Sequence, residues 1–202
     1  MAGKDKIYDT CGIIILAAGR SARLGSPKQL LPYADKNLLQ HSIDVAVESS
    51  VKPVIVILGS EIEEIERKID YSGVIIAKNP DWESGMASSV VCGIKTLNKL
   101  HPDIESVILM VCDQPFVTAG LLNDLIKRQK ESGSSIIASS YDDIKGTPAL
   151  FHKKHFPELV SLKGDTGARS LLKKYAETLQ TIPFEKGGID IDTIEDYRIL
   201  AK

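Results

Sequence analysis

Apolar residues follow two rhythms along this chain. Gly12-Ile13-Ile14-Ile15-Leu16 and Pro53-Val54-Ile55-Val56-Ile57-Leu58 are continuous apolar runs without polar alternation, the pattern of strands buried on both faces. Val74–Ala77, Ser106–Val111 and Ser135–Ser140 read as further strands. Between them, Leu38–Ser49 places Leu38, Leu39, Ile43, Val45, Ala46 and Val47 as on a helix packed against a sheet. Glu61–Ile69 spaces Ile62, Ile65 and Ile69 three and four apart and runs from acidic to basic, which predicts an amphipathic helix whose charges complement its dipole. A loop over 79–89 leads into a predicted helix ending near Lys99, and Thr118 is placed to cap another reaching about Ser132. Beyond residue 140 the pattern loosens. It predicts strands over Pro148–Phe151 and Thr178–Phe184, a helix over Thr166–Tyr175, and a short helix from Ile194 capped by Thr193. The alternation predicts an α/β fold of three layers, a parallel-dominated mixed sheet with helices on both faces. No repeat, low-complexity tract or linker divides it, so residues 1–202 are expected to form one domain.

The composition narrows the function classes. With 202 residues, 43% hydrophobic and 26% charged, and a net charge of −2, the chain can bury a full core and has no general bias toward nucleic acid or membrane. No apolar run approaches the ~18 residues of a spanning helix, and Met1–Thr10 lacks a signal-peptide core, so a cytoplasmic protein is expected. Cys11, Cys92 and Cys112 are an odd number without C-x-x-C spacing, which favours free thiols over a disulfide or zinc site. His41, His101, His152 and His155 show no metal spacing.

Candidate chemistry concentrates where the strands end. The first strand empties into Ala17-Ala18-Gly19-Arg20-Ser21-Ala22-Arg23-Leu24-Gly25-Ser26-Pro27-Lys28, a loop of small residues with two arginines and a lysine. Small residues admit an anion to the backbone N–H groups, and the cations supply charge where phosphates lie. The spacing is neither G-x-G-x-x-G nor G-x-x-x-x-G-K-[ST], which counts against a dinucleotide-binding oxidoreductase and a P-loop. Asp113 follows the fourth strand and suits either a hard cation such as Mg²⁺ or a turn-initiating aspartate. Asp190 and Asp192 face one way if extended and would share that metal; equally, Asp192 suits the turn before the last helix. Gly85–Ser89 offers helix N–H groups and two hydroxyls to a nucleotide, or is an ordinary helix start beside a packed Trp82. Gly164-Asp165-Thr166-Gly167-Ala168-Arg169 sets a cation in a first helical turn, where an anionic ligand or Asp165 would relieve the conflict with the dipole.

These blocks resemble a known family. Leu16-Ala17-Ala18-Gly19-Arg20-Ser21-Ala22-Arg23-Leu24-Gly25, then Lys28 and Leu30-Leu31-Pro32, is similar to the L-A-A-G-x-S-x-R-M-G-x-x-K-x-L-L-P signature of nucleotidyltransferases. The molybdenum cofactor cytidylyltransferase group, the MocA-like branch of the MobA-like NTP transferases, is the nearest likeness. Asn79-Pro80-x-Trp82-x-x-Gly85-Met86-x-Ser88-Ser89, Cys112-Asp113-Gln114-Pro115-Phe116, Gly164-Asp165-x-Gly167-Ala168-Arg169 and Asp190-Ile191-Asp192-Thr193-x-Glu195-Asp196-Tyr197 agree with it. Leu24 stands for the usual methionine, Thr147 for a larger polar residue, and Ile194 for a common proline.

The resemblance implies a Rossmann-like nucleotidyltransferase that binds a nucleoside triphosphate with Mg²⁺ and transfers its nucleotidyl group to an acceptor phosphate, releasing pyrophosphate. It assigns Arg23 to the β/γ-phosphates and Lys28 to the α-phosphate or acceptor, with Asp113 as the third catalytic residue. Leu16, Ala17, Ala18, Gly19, Gly85, Ser88 and Ser89 would contact nucleotide, and Gln114, Pro148, Asp165 and Arg169 the acceptor. Asp113, with Asp190 or Asp192, would hold metal. The implied substrates are CTP and a molybdopterin-type cofactor, with a recipient molybdoenzyme as a further partner. Alternatives are GTP, a sugar or polyol phosphate acceptor, or a non-catalytic cofactor chaperone.

Overall fold

The computed structural model describes residues 10–21, 25–191 and 193–200. Seven strands form one sheet: β1 (Cys11–Leu16), β4 (Val54–Leu58), β5 (Ile75–Lys78), β6 (Ser106–Val111), β7 (Ile136–Tyr141), β8 (Ile144–His152) and β9 (Gln180–Pro183), in the order β5-β4-β1-β6-β8-β7-β9. Only β8 runs against the others, because it returns from β7 through a tight turn and inserts between β7 and β6. A small hairpin, β2 (Pro32–Tyr33) with β3 (Lys36–Asn37), stands apart.

Burial follows the pattern of the runs. All of β1 and β4 is buried, as strands covered on both faces require. Ile13 and Ile15 of β1 pack on one side with helices α1 (Leu38–Glu48) and α4 (Ala119–Ser132). Ile14 and Leu16 point to the other, into a cluster with α3 (Met86–Leu100), α5 (Phe156–Val160) and α6 (Arg169–Lys174). Two cores of alternating residues from one strand make the three layers. Thr118 caps α4 by accepting from Leu121 N at 3.1 Å. Thr193 accepts from Asp196 N at 3.2 Å, while the Asp196 carboxylate accepts from Thr193 N at 2.8 Å, a reciprocal cap on α7 (Ile194–Leu200).

Several expected elements are resized. The helix predicted over 61–69 shrinks to α2 (Ile62–Glu66), since Glu61 takes a left-handed conformation (φ 53°) and lies outside it. Arg67 and Lys68 therefore follow the helix rather than close it, and no basic residue balances the dipole in its last turn. The helix predicted over 166–175 is only α6, because residues 164–167 form a turn held against the start of α3: Gly164 O accepts from Ala87 N at 3.0 Å. Conversely, β8 is nine residues rather than four, since it pairs with a strand on each side.

Candidate active site

The sheet register assembles the site. Leu16 at the end of β1 lies opposite Val111 at the end of β6 and Ile57 of β4. The glycine-rich loop and Asp113 thus emerge side by side at the carboxyl edge, where open α/β sheets bind ligands. They line a cavity of about 350 Å³ with Lys28, Gln29, Gly85, Met86, Ser89 and Asp165. Gly59 lets the far wall close in: a Cβ there would stand 2.5 Å from Trp82 Cβ and 2.8 Å from Ala18 Cβ. Gly85 (φ +104°) does the same for the lower rim, since its Cβ would stand 2.4 Å from the Gly164 carbonyl.

At the centre, Lys28 Nζ forms an ion pair and hydrogen bond with Asp113 Oδ2. Lys28 sits at the start of a 3-10 turn over Lys28–Leu30, and its backbone N–H donates to Ser21 Oγ at 2.7 Å. The turn carrying Asp113 is braced by three hydrogen bonds, two from α1 and one from the segment at Ile191. His41 Nε2 lies 2.9 Å from Pro115 O, Ser42 Oγ reaches Cys112 O at 3.4 Å, and Ile191 N donates to Asp113 O at 3.1 Å. Asp113 Oδ1 is buried with no hydrogen-bond partner. A buried carboxylate oxygen left unpaired costs at least about 1–3 kcal/mol, so the site is built for a cation or donor that arrives with a ligand. Burial drives the neighbouring Cys112 thiol up to about 12 and raises Cys11 as well, so both stay protonated and inert; all three cysteines are free.

Each expected residue can now be located. Leu16, Ala17, Ala18, Gly19, Lys28, Gly85, Ser89, Asp113 and Asp165 line the one cavity. Ser88 opens instead onto an adjacent cavity of about 630 Å³ on the outer side of α3. Its hydroxyl donates to Gly85 O at 2.8 Å and accepts from Asn79 Nδ2 at 2.8 Å; Asn79 Nδ2 also reaches Ser89 Oγ at 3.1 Å. Gln114 is buried and its amide is engaged at both ends, donating to Gly187 O at 2.8 Å and accepting from Thr147 Oγ1 at 3.1 Å. Pro148 is buried within β8, its carbonyl accepting from Ser139 Oγ at 2.8 Å. Arg169 is exposed and forms no ion pair with Asp165 among the described residues, so the expected relief of the dipole conflict by Asp165 is not made. Asp190 is exposed next to Ile191, whose bond to Asp113 O brings that segment to the site. Arg23 and Asp192 lie outside the described residues. Among the described residues, no three His, Cys, Asp or Glu side chains gather as a metal cluster.

Comparison with known proteins gives the family and agrees with the fold. The family model described as a MobA-like NTP transferase domain matches residues 13–179. The chain belongs to the MobA-like NTP transferase family. It is 29% identical over 198 residues to nicotine blue oxidoreductase of Paenarthrobacter nicotinovorans, covering 93% of this chain and 95% of that one. It is 27% identical over 190 residues to molybdenum cofactor cytidylyltransferase of Escherichia coli K12, covering 94% of each. Of solved structures, the Mycobacterium tuberculosis Rv0371c homologue from Mycobacterium sp. strain JC1 superposes with a TM-score of 0.83 at 32% identity over 95% and 96% of the two chains. Rv0371c of M. tuberculosis H37Rv complexed with manganese gives 0.76 at 28% identity over 95% and 97%.

This MobA-like transferase is thus a nucleotidyltransferase related to the molybdenum cofactor cytidylyl- and guanylyltransferases. Its cavity is also lined by residues to which the sequence assigned no site role, among them Arg20, Gln29, Trp82, Glu83 and Met86. Arg20 adds an exposed cation to the loop face. Met86 is 49% exposed, an unusual position for a large apolar side chain, and forms an apolar rim. Gln29 occupied an unspecified position of the signature, and its significance lies in contacts with Ala17 and Gly19 that no local pattern encodes. No helix among the described residues is long and apolar enough to cross a membrane.

Proposed function

We propose that this transferase moves CMP from CTP to the phosphate of a molybdopterin-type cofactor and releases pyrophosphate, with Mg²⁺ as the working metal. The observation that carries the reading is the pairing of Lys28 with Asp113, whose second oxygen is buried without a partner, inside a cleft bordered by the Ala17–Gly19 loop. Both reactants are anionic, so the protein must neutralise charge and hold an in-line geometry; a covalent nucleophile is unnecessary. The Asp113 carboxylate, helped by Asp190 or Asp192, suits a hard divalent cation. That cation supplies charge neutralisation at the triphosphate when bound. Lys28 then stabilises negative charge at the α-phosphate, and Arg23 takes the β/γ-phosphates. The small residues of the Ala17–Gly19 turn seat the nucleotide together with Gly85 and Ser89, while Asp165, beside Gly85 on the same rim, reaches the acceptor, with Arg169 following it on α6. Ser88 contributes from behind through its bonds to Gly85 and Asn79. Gln114 and Pro148 act at one remove, since Gln114 ties the Asp113 turn to Thr147 beside Pro148 and to Gly187.

The test is pyrophosphate release from CTP, GTP and ATP with Mg²⁺ and either molybdopterin or a sugar phosphate as acceptor. CTP-dependent release requiring molybdopterin is the expected result. Clear GTP preference, or a sugar phosphate as the better acceptor, overturns the substrate assignment. Because one relative carries an oxidoreductase name, nicotinamide-dependent dye reduction is assayed alongside; turnover there without pyrophosphate release overturns the reaction class.

A further inference from the structure

Gln29 is 1% exposed, yet it lies on the wall of the catalytic cavity, one residue after Lys28. Its Nε2 donates to Ala17 O at 2.7 Å and to Gly19 O at 3.1 Å. Its Oε1 is buried with no hydrogen-bond partner. The amide cannot be turned round, because the reverse orientation would set Oε1 against two carbonyl oxygens. A buried acceptor is therefore left unpaired so that both carbonyls can be held, a local cost typical of functional sites.

The effect on the loop follows from a backbone count. Ala18 O, between the two carbonyls that Gln29 holds, accepts from Ser60 N at 3.0 Å, and Ala17 N donates to Ile57 O at 3.0 Å. Three successive carbonyls are thus drawn into the protein. The N–H groups of Ala18 and Gly19 have no acceptor among the described residues. Neighbouring peptide groups left as donors beside a cavity are what an anionic or acceptor-rich ligand needs. Sequence-local forces do not impose this arrangement, since a loop of Ala and Gly has many conformations of similar energy.

We propose that Gln29 is a positioning residue for the nucleotide: it fixes the Ala17–Gly19 turn with its carbonyls inward and its N–H groups offered to the ligand. This inference rests on the nucleotidyl-transfer reading of the cavity.

Two variants test it. Gln29→Met keeps length and volume but removes both donors. Gln29→Glu sets carboxylate oxygens against the carbonyls when ionised and regains one O–H donor when protonated, which lower pH favours. Titration of Mg²⁺–CTP into Gln29→Met should show about tenfold weaker binding or more, with the KM for CTP rising in step and kcat at saturation changing less than about threefold. Gln29→Glu should match that loss at pH 8 and recover part of it at pH 5.5. A purely structural role would lower the melting temperature and leave KM and this pH difference untouched. Backbone ¹⁵N relaxation without ligand should show the order parameters of Ala18 and Gly19 falling toward ~0.6 or below in Gln29→Met. Unchanged CTP affinity, or unchanged order in the free loop, overturns the proposal. If the unsubstituted protein binds no nucleoside triphosphate, the reading of the cavity fails, while the relaxation result still decides whether Gln29 holds the loop.

Discussion

Replacing Lys28 with methionine separates two demands on one side chain, and the two should move in opposite directions. The Lys28 ammonium is paired with Asp113 in the free protein, with the two side chains 20% and 14% exposed. A divalent ion approaching Asp113 must displace that ammonium or bind beside it. Two unit charges at 4 Å are worth about 4 kcal/mol at an effective dielectric of 20 and about 1 kcal/mol in water. Partial exposure places this pair between those limits, at roughly 1.5–3 kcal/mol, which corresponds to a change of about 10–100-fold in affinity. Gln29 and the Ser21 bond are anchored independently of the ammonium, so the turn should survive the substitution. Lys28→Met should therefore bind Mn²⁺ about 10–100-fold more tightly than the unsubstituted protein when no nucleotide is present, read by electron paramagnetic resonance of free Mn²⁺ at 0.1 M salt. With CTP and acceptor supplied, the same variant should lose about 10²–10³ in turnover, the usual cost of removing one preorganised donor to developing charge. Mn²⁺ affinity that is unchanged or weaker would refute the reasoning, because Lys28 would then not occupy the place of the metal.

Asp113→Asn preserves shape and removes the charge, so it should abolish Mn²⁺ binding and cut pyrophosphate release by at least about 10²; undiminished release would show that the metal is held elsewhere. Gly85→Ala forces a side chain onto φ +104° and against Gly164, and should lower stability by more than about 1–3 kcal/mol in urea denaturation and weaken CTP binding as the rim shifts. Acid sensitivity should come from the far end of the sheet. There His155, held 2.9 Å from Ser135 Oγ, has its pKa lowered chiefly by burial, and Glu158 is lowered to about 2 chiefly by the Lys174 hydrogen bond. The unfolded chain binds a proton at His155 near pH 6.5 while the native state resists it, so stability should begin to fall as pH drops below about 6.5. The Glu158 share is complete above about pH 4.5 and is lost as pH falls toward 2. His155→Gln should flatten the dependence of the urea midpoint between pH 7 and 5; an unaltered slope there would remove His155 as its source.

Local sequence determined the strands and the place of the chemistry. The two runs without alternation are buried on both faces as β1 and β4, and the five strands expected before residue 141 all formed within two residues of the expected bounds. Thr118 and Thr193 cap their helices as expected because a cap is a contact over three residues, which spacing encodes. Small residues and cations after one strand and an aspartate after another were enough to mark the segments that meet at one cavity. What tertiary structure decided is everything that depends on two distant segments meeting. Helix α2 starts only after Glu61, which follows Ser60 and its bond to Ala18, and α6 begins late because Gly164 is tied to Ala87. Ser88 and Ser89 are adjacent in the chain, but a helix turns about 100° per residue, so they open onto different cavities. Gln114 looked like a ligand group beside Asp113, yet its amide is engaged by Thr147 and Gly187, 33 and 73 residues away. Gln29 carried no chemical signal at all; only the fold brings its amide to the carbonyls of residues 17 and 19. Periodicity and caps arise from neighbours in the chain, so the sequence records them directly. Hydrogen bonds between segments tens of residues apart exist only once register and packing have brought those segments together.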